Sequence, residues 1–310
     1  MEKVRHIHIV SPSGAIAPEL VDRAAERLRA YGYCVSIAPH ARGACGRFAG
    51  TEEERVADLN AALSNPAVDA ILCARGGYGL QQIIDRIGLE SKKDKRDLKT
   101  PVFIGFSDIT ELHQWCGLQG SPSLHGLMCK HLAELPEDSE PFIRWHQALN
   151  GEPLTYTVPA HPLNRNGHVK GRLIGGNLSV LYGLQGTPYS LTRLLDTEPD
   201  RPTVLFLEDI AERHYHIDRM VQNLRLSGVM ARISGLIVGQ FSDAEDDPSM
   251  GCTIMETIRC AAEGYDYPVL MDFPAGHVER NLPLWLNSPC ELTVGGYGGT
   301  VVSEPKTDFD

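Results

Sequence analysis

Short apolar runs alternate with stretches of helical spacing through the first half of the chain. Four runs have the length and character of strands, at residues 4–10, 33–39, 68–73 and 101–106. Helices are expected over 18–30, from a capping box at Thr51 and Glu54, from a glycine loop to about residue 87, and after Ser107. Strands that alternate with helices predict a doubly wound parallel sheet, which binds ligands beyond the carboxyl ends of its strands.

The second half carries a weaker pattern. Prolines and an Asn-Arg-Asn-Gly turn predict an extended linker at 151–170, between a domain over 1–150 and one over 171–310. Buried strands are expected at 203–207, 235–241 and 268–272, an amphipathic helix at 215–226, and a terminal strand pair at 291–294 and 300–302. The chain is therefore predicted to be an α/β protein of two domains.

Composition narrows the class of protein. The chain has 310 residues, 42% hydrophobic and 22% charged, which is ordinary for a globular protein and excludes a disordered or fibrous one. A net charge of -11 argues against nucleic acid as a partner, because phosphate backbones are bound by basic surfaces. Eight cysteines without a C-x-x-C pair fit neither a zinc knuckle nor a disulfide framework, so we expect reduced thiols.

Apolar runs of membrane-spanning length are absent from the sequence. Residues 4–10 alternate like a strand and lack the long apolar core of a signal peptide. We therefore expect a cytoplasmic protein that does not enter a membrane.

Ser107 lies where the strand over 101–106 gives way to helical spacing. A serine on such a corner is held clear of both elements, and the first N–H groups of the helix point toward whatever it attacks. The hydrolase elbow has glycine two places on either side of the serine; Gly105 is present here, but Ile109 replaces the second glycine. The alternative is that Ser107 caps the helix, with Asp108 at the positive end of its dipole.

The stretch from Arg75 to Gly79 is a glycine loop at the end of another predicted strand. Its N–H groups could hold a phosphate, but the loop lacks the spacing of a dinucleotide fingerprint and the lysine of a P-loop. Backbone N–H groups can also stabilise the oxyanion of a tetrahedral intermediate. The predicted oxyanion hole has one N–H from Gly77 and one from Asp108.

Glu208 and His277 also follow predicted strands. A carboxylate at a strand end, such as Glu208, is commonly a capping or ion-pairing residue. A loop histidine such as His277 is commonly solvated. With Ser107, however, the three have the chemical types of a nucleophile, an orienting acid and a general base at one edge of the fold.

Several segments together resemble the LD-carboxypeptidase family of serine peptidases. They are residues 74–79, 105–110, 175–178, 207–209 and 276–277, with residues 47–51 and Arg55 as an N-terminal signature. The resemblance implies a catalytic triad of Ser107, His277 and Glu208. It also implies a flavodoxin-like N-terminal domain, a smaller β-rich C-terminal domain, a homodimer and no cofactor.

The implied reaction is hydrolysis of the bond between meso-diaminopimelate and terminal D-alanine in muropeptides during cell-wall recycling. Two alternatives stay open: a hydrolase of aminoacyl-nucleotide toxins like the microcin immunity proteins, and a non-catalytic module that binds wall peptide. The terminal carboxylate of the substrate needs a cationic partner, for which Arg75 is the candidate, unless Arg75 pairs with a protein carboxylate. No cluster has metal-ligand spacing, so we expect chelators to have no effect.

Overall fold

The first of two sheets is parallel except at one edge. The computed structural model describes residues 3–88 and 100–305. This sheet contains β1 (His6–Val10), β2 (Cys34–Ile37), β3 (Ala70–Cys73), β4 (Val102–Gly105), β5 (Ser123–His125) and β11 (Leu284–Leu286). Its order is β2-β1-β3-β4-β5-β11, and the first five strands follow the flavodoxin-like order 2-1-3-4-5. The doubly wound, flavodoxin-like fold is therefore confirmed.

The second sheet is mixed. It contains β6 (Leu154–Pro159), β7 (Gly167–Asn177), β8 (Thr203–Ile210), β9 (Gly235–Ser242), β10 (Val269–Leu270), β12 (Ser288–Gly295) and β13 (Gly298–Ser303). In the order β10-β9-β8-β7-β12-β13-β6, the pairs from β10 to β7 are parallel and those from β7 to β6 are antiparallel. A β-rich second part is thus confirmed.

Ten α-helices surround and separate the sheets in the described ranges. They are α1 (Pro18–Ala30), α2 (Glu52–Ser64), α3 (Thr110–Leu118), α4 (Cys129–Glu134), α5 (Glu140–Leu149), α6 (Leu178–Gly183), α7 (Leu191–Thr197), α8 (His214–Leu226), α9 (Val229–Arg232) and α10 (Ile254–Ala261). The capping box that begins α2 forms as predicted, with Thr51 and Glu54 each bonded to the other's backbone N–H. Within residues 3–88 and 100–305, no helix is both long and apolar enough to cross a membrane.

Helix α3 lies between the two sheets. It contacts β5 of the first sheet and β7 of the second, and most of its side chains are buried, including Glu111 and His113. A helix enclosed on all sides cannot show a clean amphipathic stripe. The nucleophile candidate therefore precedes a helix that both halves of the chain hold in place.

The helix expected after the glycine loop is replaced by two short 3₁₀ turns, Leu80–Gln82 and Ile84–Arg86. Ile83 between them has φ -131°, outside the helical region, which ends the first turn before an α-helix can form.

The second half of the chain contributes one strand to the first sheet. After the His277 loop the chain returns to the first sheet, where β11 pairs with β5 and places Leu284 opposite His125. A further strand, β6, lies inside the stretch predicted as a linker and joins the second sheet. The sequence pattern predicted neither the strand in the linker nor the crossing of β11 to the first sheet. The division into 1–150, 151–170 and 171–310 stays a prediction.

Candidate active site

Ser107 occupies a strained corner between β4 and α3. Its φ is +68°, a region that non-glycine residues rarely adopt, and it begins a single 3₁₀ turn over Ser107–Ile109. The turn and α3 both begin without a side-chain cap, and their N-cap positions are Phe106 and Ile109. Ser107 is therefore not the helix cap that the alternative interpretation required.

The elbow tolerates Ile109 in place of the second glycine because Gly105 makes room for it. A Cβ on Gly105, whose φ is +158°, would lie 2.9 Å from Ile109 Cγ1. The sequence therefore keeps one glycine where the backbone requires it and fills the other place with a buried apolar side chain.

The glycine loop packs directly against the nucleophile candidate. A Cβ on Gly76 would lie 2.8 Å from Ser107 Cβ and 3.1 Å from its Oγ, so a larger residue at position 76 would displace the serine. Asp108 ties the loop to the elbow, because its Oδ2 accepts a hydrogen bond from the Leu80 N–H at 3.1 Å. Asp108 is buried, and this burial raises the pKa of its carboxyl group.

Arg75 is exposed on the same loop. Its Nη1 donates to the Ala15 carbonyl oxygen at 2.5 Å, which braces the loop against the chain after β1. The structure gives Arg75 no carboxylate partner in residues 3–88 and 100–305, so the predicted alternative of an internal ion pair is not observed there.

Glu208 and His277 form a hydrogen-bonded pair. His277 Nδ1 lies 2.9 Å from Glu208 Oε2; the glutamate side chain is fully buried and the histidine side chain is 15% exposed. Because a carboxylate only accepts, Nδ1 carries the hydrogen, and Nε2 of a neutral His277 is left as a proton acceptor. Neither the solvated histidine nor the capping glutamate of the alternative interpretations is observed.

The local backbone creates the space for this pair. Strand pairing between β8 and β9 shifts register between Leu207 and Asp209, so Glu208 lies at an irregularity that redirects its side chain. A Cβ on Gly276, whose φ is +131°, would lie 2.9 Å from Glu208 Oε2. The glycine beside His277 is thus needed for the carboxylate to fit.

A second buried network explains two further segments of the resemblance. Asn177 Nδ2 and the Ser179 N–H donate to the Asp209 carboxylate at 2.9 and 2.8 Å. Burial, with Glu208 as a charged neighbour, raises the pKa of Asp209 to about 7. The Asn177 N–H also donates to Thr110 Oγ1 at 2.9 Å, and Gly176 leaves no room for a Cβ against Thr110. These contacts fasten the second half to the first turn of α3.

Ser107 and His277 line one open cleft of about 750 Å³, together with Arg75 and Gly77. The ring of Phe106 packs edge-on against His277, with centroids 4.9 Å apart. Sequence reasoning missed the cleft residues Met128, Lys130 and His131, because they belong to the N-cap and first turn of the short helix α4, which carries no clear signal. Besides the predicted nucleophile and base, the cleft is lined by the ionisable side chains of Arg75, Lys130, His131 and Glu279.

A metal is not indicated by the residues present. In the two ranges that the structure describes, no group of three or more histidine, cysteine, aspartate or glutamate side chains could hold a metal ion. All eight cysteines are free.

Solved structures with this fold cover almost the whole chain. The muramoyltetrapeptide carboxypeptidase of Oxalobacter formigenes aligns with a TM-score of 0.82 at 24% identity, over 96% of this chain and 99% of that one. MccF in complex with glutamyl sulfamoyl guanosine aligns with a TM-score of 0.83 at 20% identity, over 99% and 98% of the two chains. At such identities the two structures show a shared fold.

Relatives at higher identity and two family models show more than the fold. A Streptomyces coelicolor protein named as a carboxypeptidase is 32% identical over 291 residues, covering 92% of this chain and 89% of that protein. The murein tetrapeptide carboxypeptidase of Pseudomonas aeruginosa is 27% identical over 286 residues, covering 89% of each. The models of the LD-carboxypeptidase N-terminal and C-terminal domains match residues 7–126 and 170–292. The chain therefore belongs to the LD-carboxypeptidase family of serine peptidases.

Proposed function

We propose that this chain is a serine carboxypeptidase that removes the terminal D-alanine of muropeptide tetrapeptides by cleaving its bond to meso-diaminopimelate. The observation that carries the proposal is the 2.9 Å bond between His277 and the buried Glu208, in a loop that borders the same cleft as Ser107. Murein peptide carboxypeptidases among the relatives support the substrate class.

In the proposed reaction Ser107 Oγ attacks the carbonyl carbon of the scissile bond, and His277 Nε2 takes the proton that Oγ loses. Glu208, buried and bonded to Nδ1, fixes the ring and stabilises the imidazolium. The tetrahedral intermediate collapses as the imidazolium gives its proton to the leaving amine of D-alanine. A water, deprotonated by His277, then hydrolyses the acyl-enzyme and restores Ser107.

The oxyanion that forms in the first step needs donors that are already in place. We assign them to the backbone N–H groups of Gly77 and Asp108. Two features support the assignment: Gly76 lies against Ser107, and the Asp108 carboxylate holds the glycine loop through Leu80.

Recognition of the terminal carboxylate is assigned to Arg75. Its Nη1 bonds a backbone carbonyl and so leaves the positive charge without a carboxylate partner in the described residues. A substrate carboxylate would meet this fixed cation at the edge of the cleft.

A second candidate function is hydrolysis of an aminoacyl-nucleotide toxin, which the structural likeness to MccF supports. The two candidates predict different substrates for the same site. Purified protein should release D-alanine from the tetrapeptide and leave a glutamyl sulfamoyl nucleoside intact. The reverse preference would replace the first proposal with the second.

A non-catalytic wall-peptide module is the third possibility. A fluorophosphonate probe separates it from both hydrolases, because only an activated serine is labelled. Labelling at Ser107 supports catalysis, and a protein that binds the peptide but resists the probe would be a binding module.

We further propose that the enzyme acts in the cytoplasm as a homodimer without a cofactor. Sedimentation at micromolar concentration tests the dimer. Activity that survives extensive dialysis against EDTA supports the cofactor-free mechanism, and activity lost in EDTA and restored by zinc contradicts it.

A further inference from the structure

The loop that carries His277 is closed by a buried asparagine. Asn281 is fully buried, and its Oδ1 accepts a hydrogen bond from the Gly276 N–H at 2.9 Å. A second bond, from the Leu282 N–H to the Pro274 carbonyl at 2.9 Å, closes the same segment at its base. His277 therefore projects from a short loop whose two ends are held together from inside.

The same amide oxygen also reaches the first sheet. His125 Nε2 on β5 lies 3.3 Å from Asn281 Oδ1, and His125 is itself fully buried. Burial lowers the pKa of His125 to about 3, so the ring is neutral near pH 7. The bond to Gly276 fixes which amide atom is oxygen, because a backbone N–H needs an acceptor, and His125 must then donate from Nε2.

Gly276 transmits this contact to the catalytic pair. On one side its N–H bonds Asn281, and on the other its Cα faces Glu208 so closely that a Cβ would lie 2.9 Å from Oε2. A shift of Gly276 would therefore move His277 relative to both Glu208 and the cleft. Ser107 follows the end of β4, and His125 is the last residue of β5, the strand that pairs with β4 in the first sheet.

We propose that Asn281 is a positioning residue that aligns His277 with Ser107 by locking the histidine loop to β5. The inference rests on the proposed roles of Ser107 and His277. The hydrogen bond between Asn281 and His125 joins the two halves of the chain, and neither half can form it alone. In this arrangement the fold does not rely on sheet packing alone to set the distance between nucleophile and base.

The test measures the rate constant and the final stoichiometry of Ser107 labelling by a fluorophosphonate. The stoichiometry counts folded sites, and the rate constant reports how well the base is aligned with the serine. Asn281→Ala should lower the rate constant about 10- to 100-fold, because misplacement of a catalytic group by an ångström has effects of that size. A merely structural residue would lower the stoichiometry and leave the rate constant unchanged, which would overturn the proposal.

Asn164→Ala is the matched control. Asn164 Oδ1 also accepts one backbone N–H in the second half, that of Met271 at 2.8 Å, and in the described residues no hydrogen bond joins Asn164 to the His277 loop. Its rate constant should stay within about twofold of the native value. An equal slowing in both variants would assign the effect to general loosening of the second half and contradict a specific role for Asn281.

Substitutions at His125 test the bridge where Asn281→Ala fails to fold. His125→Leu removes the donor and should slow labelling, whereas His125→Gln keeps an N–H donor and should label faster than His125→Leu. Equal rates in the two variants would exclude the bridge. A native protein that is not labelled at Ser107 would instead contradict the proposed function, so the two failures are distinguishable.

Discussion

The elbow at Ser107 and the Glu208–His277 pair reach the same cleft by different physical means. Ser107 is partly exposed and strained at φ +68°, and it is positioned by steric fit against Gly76. The carboxylate of the pair is completely buried, and hydrogen bonds position the histidine. In the loop that carries His277, the positive φ belongs to the neighbouring Gly276 and not to the histidine itself.

The serine and the carboxylate depend on different neighbours. A strained, sterically held serine depends on residues next to it in the chain or across one loop. A buried carboxylate depends on having its hydrogen-bonding partner, since an unpaired buried charge is costly. Glu208 Oε1 has no partner in the described part of the chain, so His277 is the observed partner of that carboxylate.

The largest expected effect lies at the elbow. Ser107→Ala should keep the fold and lower kcat on tetrapeptide on the order of 10⁴-fold or more, since only binding and oxyanion stabilisation remain. Circular dichroism checks the fold, and Ser121→Ala, just beyond α3, is the control with near-native turnover expected. Near-native activity of a folded Ser107→Ala protein would remove the serine from the mechanism.

The elbow was also the part that the sequence could predict. Strands β3 and β4 are short, fully buried apolar runs, and a serine after such a run in a parallel sheet lies at the ligand edge. The sequence shows that Ile109 replaces the second glycine of the hydrolase elbow but does not explain how it fits. The structure explains it, because the absence of a Cβ at Gly105 leaves space for the Ile109 side chain.

The contact between Glu208 and His277 was harder to predict from the local sequence pattern. Glu208 and His277 are 69 residues apart, and their positions alone favoured capping and solvent exposure; the resemblance to the family supplied their pairing. Strand β11 is three residues long and pairs with β5 across more than 150 positions, so no periodicity signals it. The bridge through Asn281 follows from that pairing and could not be predicted without it.

The second prediction concerns the hydrogen bond between Glu208 and His277. Glu208→Gln keeps the shape but removes the charge that stabilises the imidazolium, so kcat should fall about 10³-fold. Asp209→Asn is the matched control, because Asp209 bonds Asn177 and Ser179 and not His277. Its kcat should fall far less. If the two variants lost activity equally, Glu208 would act through packing and not through its charge.

The third prediction concerns the pH dependence of stability around the elbow. Burial, with Asp108 as a charged neighbour, raises the pKa of Glu111 on α3 to about 9, so its contribution to stability is lost as pH rises from about 4.5 toward 9. Burial also lowers the pKa of His125 on β5 to about 3, and its contribution to stability is lost as pH falls below about 6.5.

Glu111→Gln should therefore become more stable relative to the native protein as pH rises from 5 to 8. The gain should be of the order of 1 kcal/mol per pH unit, measured by urea unfolding at each pH. The variant should show no such trend against the native protein below pH 4, where the glutamate is neutral in both states. A constant difference across the range would mean that Glu111 is ionised in the folded protein.

The smallest expected effect concerns the edge of the cleft. A carboxypeptidase must compensate the charge of its substrate's terminal carboxylate, which is costly to desolvate unless a cation or several N–H donors meet it. Arg75 and Lys130 are the basic side chains that line the cleft with Ser107. Arg75 is the better placed of the two for recognition, because its bond to the Ala15 carbonyl holds the guanidinium in one position.

Arg75→Ala should therefore lower kcat/KM on the free acid about tenfold and narrow the preference for the acid over a substrate amidated at D-alanine. Lys130→Ala is the control: an exposed lysine contributes through screened charge, so its loss should change kcat/KM less and leave the acid-to-amide ratio close to native. An unchanged ratio in Arg75→Ala with a reduced ratio in Lys130→Ala would transfer carboxylate recognition to α4. A ratio unchanged in both would assign it to backbone donors, and the cleft would then recognise its substrate by the same kind of contact as the oxyanion hole.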